Sequence, residues 1–172
     1  MVDTAKTLYI LRHAKSAWDS DAQDDFSRPL NTRGRRDALA MGKWMMRENF
    51  FPDQIVSSPA LRAWQTVTSV CHALQIDLAT IDFDKHLYLA GMTELCNVLS
   101  NTEKGVNSVL LVGHNPGLEQ LIQHLLNSDP RDIAGDKLLP TAAFCILKIG
   151  NWDDIESGSA ELVMIMKPKL LN

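Results

Sequence analysis

Ser108-Val109-Leu110-Leu111-Val112-Gly113 runs directly into His114-Asn115-Pro116. A nearly continuous aliphatic run suits a strand buried on both faces, as in a parallel sheet. The residues that follow read as a turn into a helix, with Asn115 as its cap and the helix continuing to about Leu126. Upstream the same order recurs. Residues 7–11 (TLYIL) are a second buried strand, ending in Arg12-His13. Gln54–Ser57 is a third, followed by Ser58 as a helix cap and Pro59 in the first helical position. Strands alternating with helices predict a parallel sheet.

The intervening segments fit that frame. Residues 18–27 (WDSDAQDDFS) are polar and acidic and read as an exposed loop. A helix follows Pro29-Leu30, capped by Asn31, with Ala38, Met41 and Met45 at helical spacing. Gly34 falls in its first turn, where the missing side chain allows a close approach. Downstream, Ala60, Trp64, Val67, Cys71 and Leu74 form one apolar stripe, with Arg62, Thr66 and Ser69 off it. Residues 78–83 make a weak strand and 93–99 a helix. Two late apolar segments, 143–149 and 161–166, have only a turn between them and predict an antiparallel addition at one edge. The expected fold is a three-layer α/β/α sandwich with a mostly parallel mixed central sheet.

Composition narrows the function. At 172 residues the chain fits one domain, 1–172. A net charge of −4 disfavours nucleic-acid partners, which call for a basic domain or stripe. Cys71, Cys96 and Cys145 form no CxxC pair and read as free thiols of a reducing compartment. Arg12 and His13 interrupt the N-terminal apolar run too early for a signal segment, and nothing approaches the ~20 apolar residues of a membrane span. A cytoplasmic protein with no membrane partner is expected. The chain has neither GxxxxGK[ST] nor GxGxxG, which disfavours nucleotide folds.

In open α/β sheets ligands bind at the carboxyl ends of the strands. Those ends carry Arg12 and His13, then Arg62 shortly after the strand at 54–57, then His114. Converged on one rim, two Arg and two His suit a phosphoryl group, because guanidinium supplies planar, permanently charged donors. A neutral imidazole attacks phosphorus when its other nitrogen is held by an acceptor. A second His donates to the phosphoryl oxygens as charge shifts in the transition state. That mechanism needs no metal, and a third metal ligand at recognised spacing is lacking. Read alone, each His is a polar residue finding a hydrogen bond and each Arg an ion-pair partner; the ordered set makes them candidates.

The motifs themselves resemble those of the histidine phosphatase (phosphoglycerate mutase-like) superfamily. Leu11-Arg12-His13-Ala14 is similar to its Arg-His-Gly signature, with Ala14 at the Gly position. Arg28-Pro29-Leu30-Asn31 to Gly34 resembles its Pro-Leu-Thr-x-x-Gly helix start. The segment Ser58 to Ala63 matches Ser-x-x-x-Arg-Ala, and Gly113-His114 matches the second catalytic His. These motifs occur in family order over residues 8–126, and the short chain resembles the SixA-type phosphohistidine phosphatase branch. The resemblance implies the phosphoglycerate mutase-like fold, no cofactor, a phosphohistidine intermediate on His13, and a phosphate pocket of Arg12, Arg62 and His114. Arg28, Lys15, Ser16 and Asn115 are the candidate substrate-binding residues; Arg28 alternatively pairs with Asp24 or Asp25. Trp18 and Lys15 are placed at the entrance, and His86 is a substrate-contact candidate.

One departure matters. Larger members carry a Glu after the third strand that protonates the leaving oxygen, and residues 86–90 (HLYLA) have no carboxylate. A positioned acid is worth roughly 10²–10⁴-fold to a poor leaving group. An N–P donor needs it less, so phosphohistidine on a protein is the favoured substrate, with a small phosphorylated metabolite as the other partner. Asp84, Asp19 and Asp25 remain candidate acids. Two competing functions are a broad small-molecule phosphomonoesterase and a slow-turnover phosphoprotein-binding module.

Overall fold

The computed structural model describes residues 5–171. Six strands, β1 (Lys6–Arg12), β2 (Gln54–Ser57), β3 (Ile81–Phe83), β4 (Ser108–Gly113), β5 (Phe144–Ile149) and β6 (Ala160–Met166), form one sheet in the order β3-β2-β4-β1-β5-β6. The pairs β1/β4, β2/β4 and β2/β3 are parallel. Both late strands add antiparallel beyond β1, as their short connection demands. Among the described residues the α-helices are α1 (Thr32–Arg47), α2 (Leu61–Leu74), α3 (Met92–Ser100), α4 (Gly117–Leu126) and the short α5 (Arg131–Ala134), which the sequence pattern does not reveal.

Alternation along β1 sorts the core into two layers. Leu8 and Ile10 face a cluster with Leu95 and Leu99 of α3 and Leu118, Leu121, Ile122 and Leu125 of α4. Tyr9 and Leu11 face Met41 and Met45 of α1 and Val67, Val70, Cys71 and Leu74 of α2. Trp64 leaves the expected stripe and is 43% exposed, whereas Arg62 and Thr66 are buried. The buried face of α2 therefore turns toward the sheet's carboxyl end, carrying polar groups with it.

Asn31 caps α1 as expected, its side chain accepting from the Gly34 N–H at 2.8 Å. The other two caps differ. Helix α2 begins at Leu61 after Ala60, not at Pro59, and α4 begins at Gly117 after Pro116. Neither has a side-chain cap, because Ser58 and Asn115 are engaged in the site described below.

Gly34 realises the close approach. A Cβ there would sit 2.1 Å from the Lys15 carbonyl oxygen, which also accepts from the Asn31 N–H at 2.9 Å. Backbone against backbone cannot yield cheaply. Gly34→Ala is therefore expected to lower unfolding stability by about 1–3 kcal/mol in urea titrations. An unchanged midpoint would contradict this packing.

Candidate active site

Pairing of β4 with both β1 and β2 brings three strand ends together. Arg12, His13, Lys15, Ser16, Trp18, Asp25, Arg28, Arg62, Leu89, His114, Asn115 and Thr141 line one cavity of about 340 Å³. All eight residues singled out from sequence as catalytic or substrate-binding are among them. Asp84 and His86 are not: they pair with each other at 2.8 Å and line a separate cavity near α3. Asp19 does not line this cavity either.

His13 is 8% exposed and extends β1, its N–H donating to the Gly113 carbonyl at 3.1 Å. Its Nδ1 lies 2.7 Å from the Ala14 carbonyl, so that nitrogen carries the proton and Nε2 keeps a lone pair. The Ala14 N–H in turn donates to Thr66 Oγ1 at 2.9 Å, and that hydroxyl donates to the Arg62 carbonyl at 2.6 Å. Through Thr66, then, α2 fixes the backbone that orients the imidazole. Thr66 has no sequence signal of its own, because it looks like any polar residue off the apolar stripe.

His114, 3% exposed, stands 5.1 Å from His13, ring centroid to ring centroid. Its Nε2 lies 2.8 Å from Ser58 Oγ. This contact, and acceptance from the Ala60 N–H at 3.3 Å, occupy Ser58 in place of a helix cap. Tyr88, another residue with no sequence signal, meets the His114 ring edge-on at 5.7 Å.

Asp25 organises the arginines. Arg62, 3% exposed, donates through Nη1 to the Asp25 carbonyl (2.6 Å) and through Nη2 to Oδ2 (3.0 Å). Arg28 donates from Nε to Asp25 Oδ1 at 3.1 Å and lies 3.7 Å from the centroid of the Trp18 ring. Tyr88 donates its hydroxyl to Oδ2 at 2.8 Å. Arg28 thus makes the expected pair with Asp25 and lines the pocket as well. Arg12 donates through Nη1 to the Leu139 carbonyl at 3.0 Å.

Once these bonds are made, Arg12 Nε, Arg28 Nη1, Arg62 Nε, His114 Nδ1 and Asn115 Oδ1 are buried without a hydrogen-bond partner among the described residues. Natively, such groups are paired. Three guanidinium donors and an imidazole nitrogen around one cavity therefore suit an oxyanion. Asn115 is the exception: its NH₂ already donates to Glu119 Oε1 (2.8 Å) and the Leu139 carbonyl (3.0 Å). Its free atom is an acceptor, better matched to a water or an N–H than to a phosphoryl oxygen.

Electrostatics follow from burial. Desolvation, with the charges of His114, Arg62 and Arg12, pushes His13 down to about 3 despite its bond to Ala14. Desolvation and the positive charge of Arg62 push His114 down to about 4. Burial opposes ionisation of Asp25, but hydrogen bonds from Tyr88 and Arg62 and the charges of Arg62 and Arg28 outweigh it. Its carboxyl is held below the usual range, hence ionised. Between pH 6.5 and about 4 the unfolded chain binds protons at both histidines that the folded chain refuses, so stability rises with pH. Acidifying from pH 7 to 5 is expected to remove about 2 kcal/mol per ring. His114→Gln should remove about half of that loss in urea titrations; a wild-type midpoint independent of pH would contradict it.

Among the described residues no group of three or more His, Cys, Asp or Glu is placed to hold a metal ion, and no helix is long and apolar enough to cross a membrane.

Comparison with known proteins places this geometry. The profile of the histidine phosphatase superfamily (branch 1) matches residues 8–87, which include Arg12, His13, Arg28 and Arg62. The chain belongs to that superfamily and is a phosphohydrolase. SixA-type proteins are among its relatives. It is 30% identical over 120 residues to phosphohistidine phosphatase SixA of Escherichia coli, covering 69% of this chain and 73% of that one. A solved structure from Agrobacterium tumefaciens, provisionally assigned as phosphohistidine phosphatase SixA, superposes with a TM-score of 0.80 at 30% identity, over 95% of this chain and 98% of its own. An uncharacterized Mycobacterium tuberculosis protein is 32% identical over 164 residues, which is 92% of this chain and its own full length.

Proposed function

We propose that this phosphatase hydrolyses phosphohistidine on proteins, without a metal, through a phosphohistidine intermediate on His13. The carrying observation is the set of unpartnered donors, Arg12 Nε, Arg28 Nη1, Arg62 Nε and His114 Nδ1, around a neutral imidazole whose Nδ1 is already held. His13 Nε2 forms a bond to phosphorus as the N–P bond of the substrate breaks. The departing ring nitrogen keeps that electron pair, and the distal ring nitrogen holds a proton taken from water, so neutral imidazole leaves. Water then attacks the phosphoryl group on His13, releasing inorganic phosphate and restoring the ring. Guanidinium charge does the work that a metal would otherwise do on the equatorial oxygens. With the proton on His114 Nδ1, Ser58 donates to Nε2, and Nδ1–H adds a further donor.

The preference for an N–P donor rests on Asp25. It is the pocket's one carboxylate among the described residues, and its three donors keep it ionised and unable to protonate a leaving alkoxide. Phosphohistidine peptides are accordingly expected to exceed sugar phosphates in kcat/KM by at least ~10²-fold, with full activity in a chelator. Faster turnover of the sugar phosphates, or loss of activity in the chelator, would overturn the reading.

A further inference from the structure

The buried donors account for a phosphoryl group but leave two side chains of the same cavity unexplained. Of its lining residues, Trp18 and Leu89 are the large hydrophobic ones, and they are 75% and 58% exposed. His13, Arg62 and His114 are nearly inaccessible by comparison. The exposed pair therefore stands at the mouth and the charged groups at the floor. Scattered surface hydrophobics need no explanation, but these two are held in place. Trp18 presents its ring to the Arg28 guanidinium at 3.7 Å, and Asp25 holds that guanidinium by its edge, through Nε and Nη2. Leu89 has a φ of 51°, a conformation that residues with a Cβ adopt only under constraint.

The constraint on Leu89 is visible on both sides of it. Tyr88 is fixed by Phe26, edge-on at 5.0 Å, by His114, and by its bond to Asp25. The Ala90 carbonyl would lie 1.9 Å from a Cβ on Gly117, so that glycine admits it at the start of α4. The loops carrying Trp18 and Leu89 are thus tied to each other through Asp25 and Tyr88, and their apolar side chains line the same cavity as Arg12, His13, Arg62 and His114.

We propose that Trp18 and Leu89 form the leaving-group subsite, where the flat ring of the phosphorylated histidine rests on indole and isobutyl surface. This rests on the phosphohistidine reading above. A sugar or glycerol leaving group gains less on the same surface, because its hydroxyls lose water there without new partners. An imidazole ring offers a face to stack and keeps its distal nitrogen at the solvent-exposed mouth, where the proton enters.

Two donors with the same N–P bond separate ring recognition from phosphoryl recognition: a phosphohistidine peptide and ammonium phosphoramidate, which has no ring. Trp18→Ala and Leu89→Gly are each expected to lower the ratio of kcat/KM for the peptide to that for phosphoramidate about tenfold, chiefly through KM, as loss of a stacked aromatic or apolar wall implies. Trp18→Phe should restore most of the ratio. Glycine at position 89 tolerates the observed φ, so the Leu89 variant tests the side chain without adding strain. Wild-type turnover of both donors with unchanged ratios in both variants would overturn the subsite alone. A wild type inactive on both donors would overturn the phosphohistidine reading, and the subsite with it.

Discussion

His13→Ala is expected to reduce turnover of any phosphoryl donor by roughly 10⁴-fold or more, the scale on which removal of a covalent nucleophile operates. No neighbouring group can substitute. His114 is the nearest alternative, but with Ser58 donating to its Nε2 the proton sits on Nδ1, which then has no lone pair to offer. The variant should still fold, because the Ala14 N–H bond to Thr66 and the Arg62 anchoring to Asp25 do not involve the imidazole. Rapid acid-free quench with a ³²P-labelled phosphohistidine protein should show base-stable, acid-labile label on the wild-type chain and none on the variant. Label persisting on the variant would move the nucleophile elsewhere.

Arg62→Ala is expected to lose about 10²–10³-fold in kcat/KM, the effect of removing one preorganised donor from developing charge. Arg62 both offers an unpartnered Nε to the pocket and holds Asp25 through its two Nη atoms. Its removal leaves Asp25 with Arg28 and Tyr88 and loosens the loop that carries Trp18. Arg62→Lys should recover little, because a point charge cannot serve the carbonyl, the carboxylate and the ligand at once. Steady-state kinetics on phosphoramidate would measure the effect; full rescue by lysine would show that net charge, not the fork, is what matters.

Much of this site is legible in the amino-acid sequence because its members sit at strand ends. Arg12, His13 and His114 follow runs of aliphatic residues, and Arg62 is four residues past Ser58 in a helix start. The helix caps depart from expectation for a physical reason. Ser58 and Asn115 are good caps by residue type, but in the fold Ser58 is drawn to His114, and the Asn115 amide is held through its NH₂ by Glu119 and Leu139 with Oδ1 off the helix N–H groups. The function of Asp25 is hidden among Asp19, Asp21 and Asp24, which share its loop. Nothing in sequence says which of four carboxylates two arginines will seize. Thr66 and Tyr88 carry no motif at all, since their importance lies in distances to residues 52 and 63 positions away.

The strand order has a consequence for synthesis of the chain. β1 and β2 do not pair with each other; each pairs with β4, which lies between them. A chain ending before β4 would already contain His13, all three pocket arginines and the contacts of α2 with Ala14 and Asp25, yet lack the sheet surface that joins the ends of β1 and β2. Insertion of residues 108–113 supplies that surface and His114 in the same event. The site is thus a late product of synthesis, complete only when the segment of Leu139 and Thr141, which holds Arg12 and closes the cavity, has followed β4.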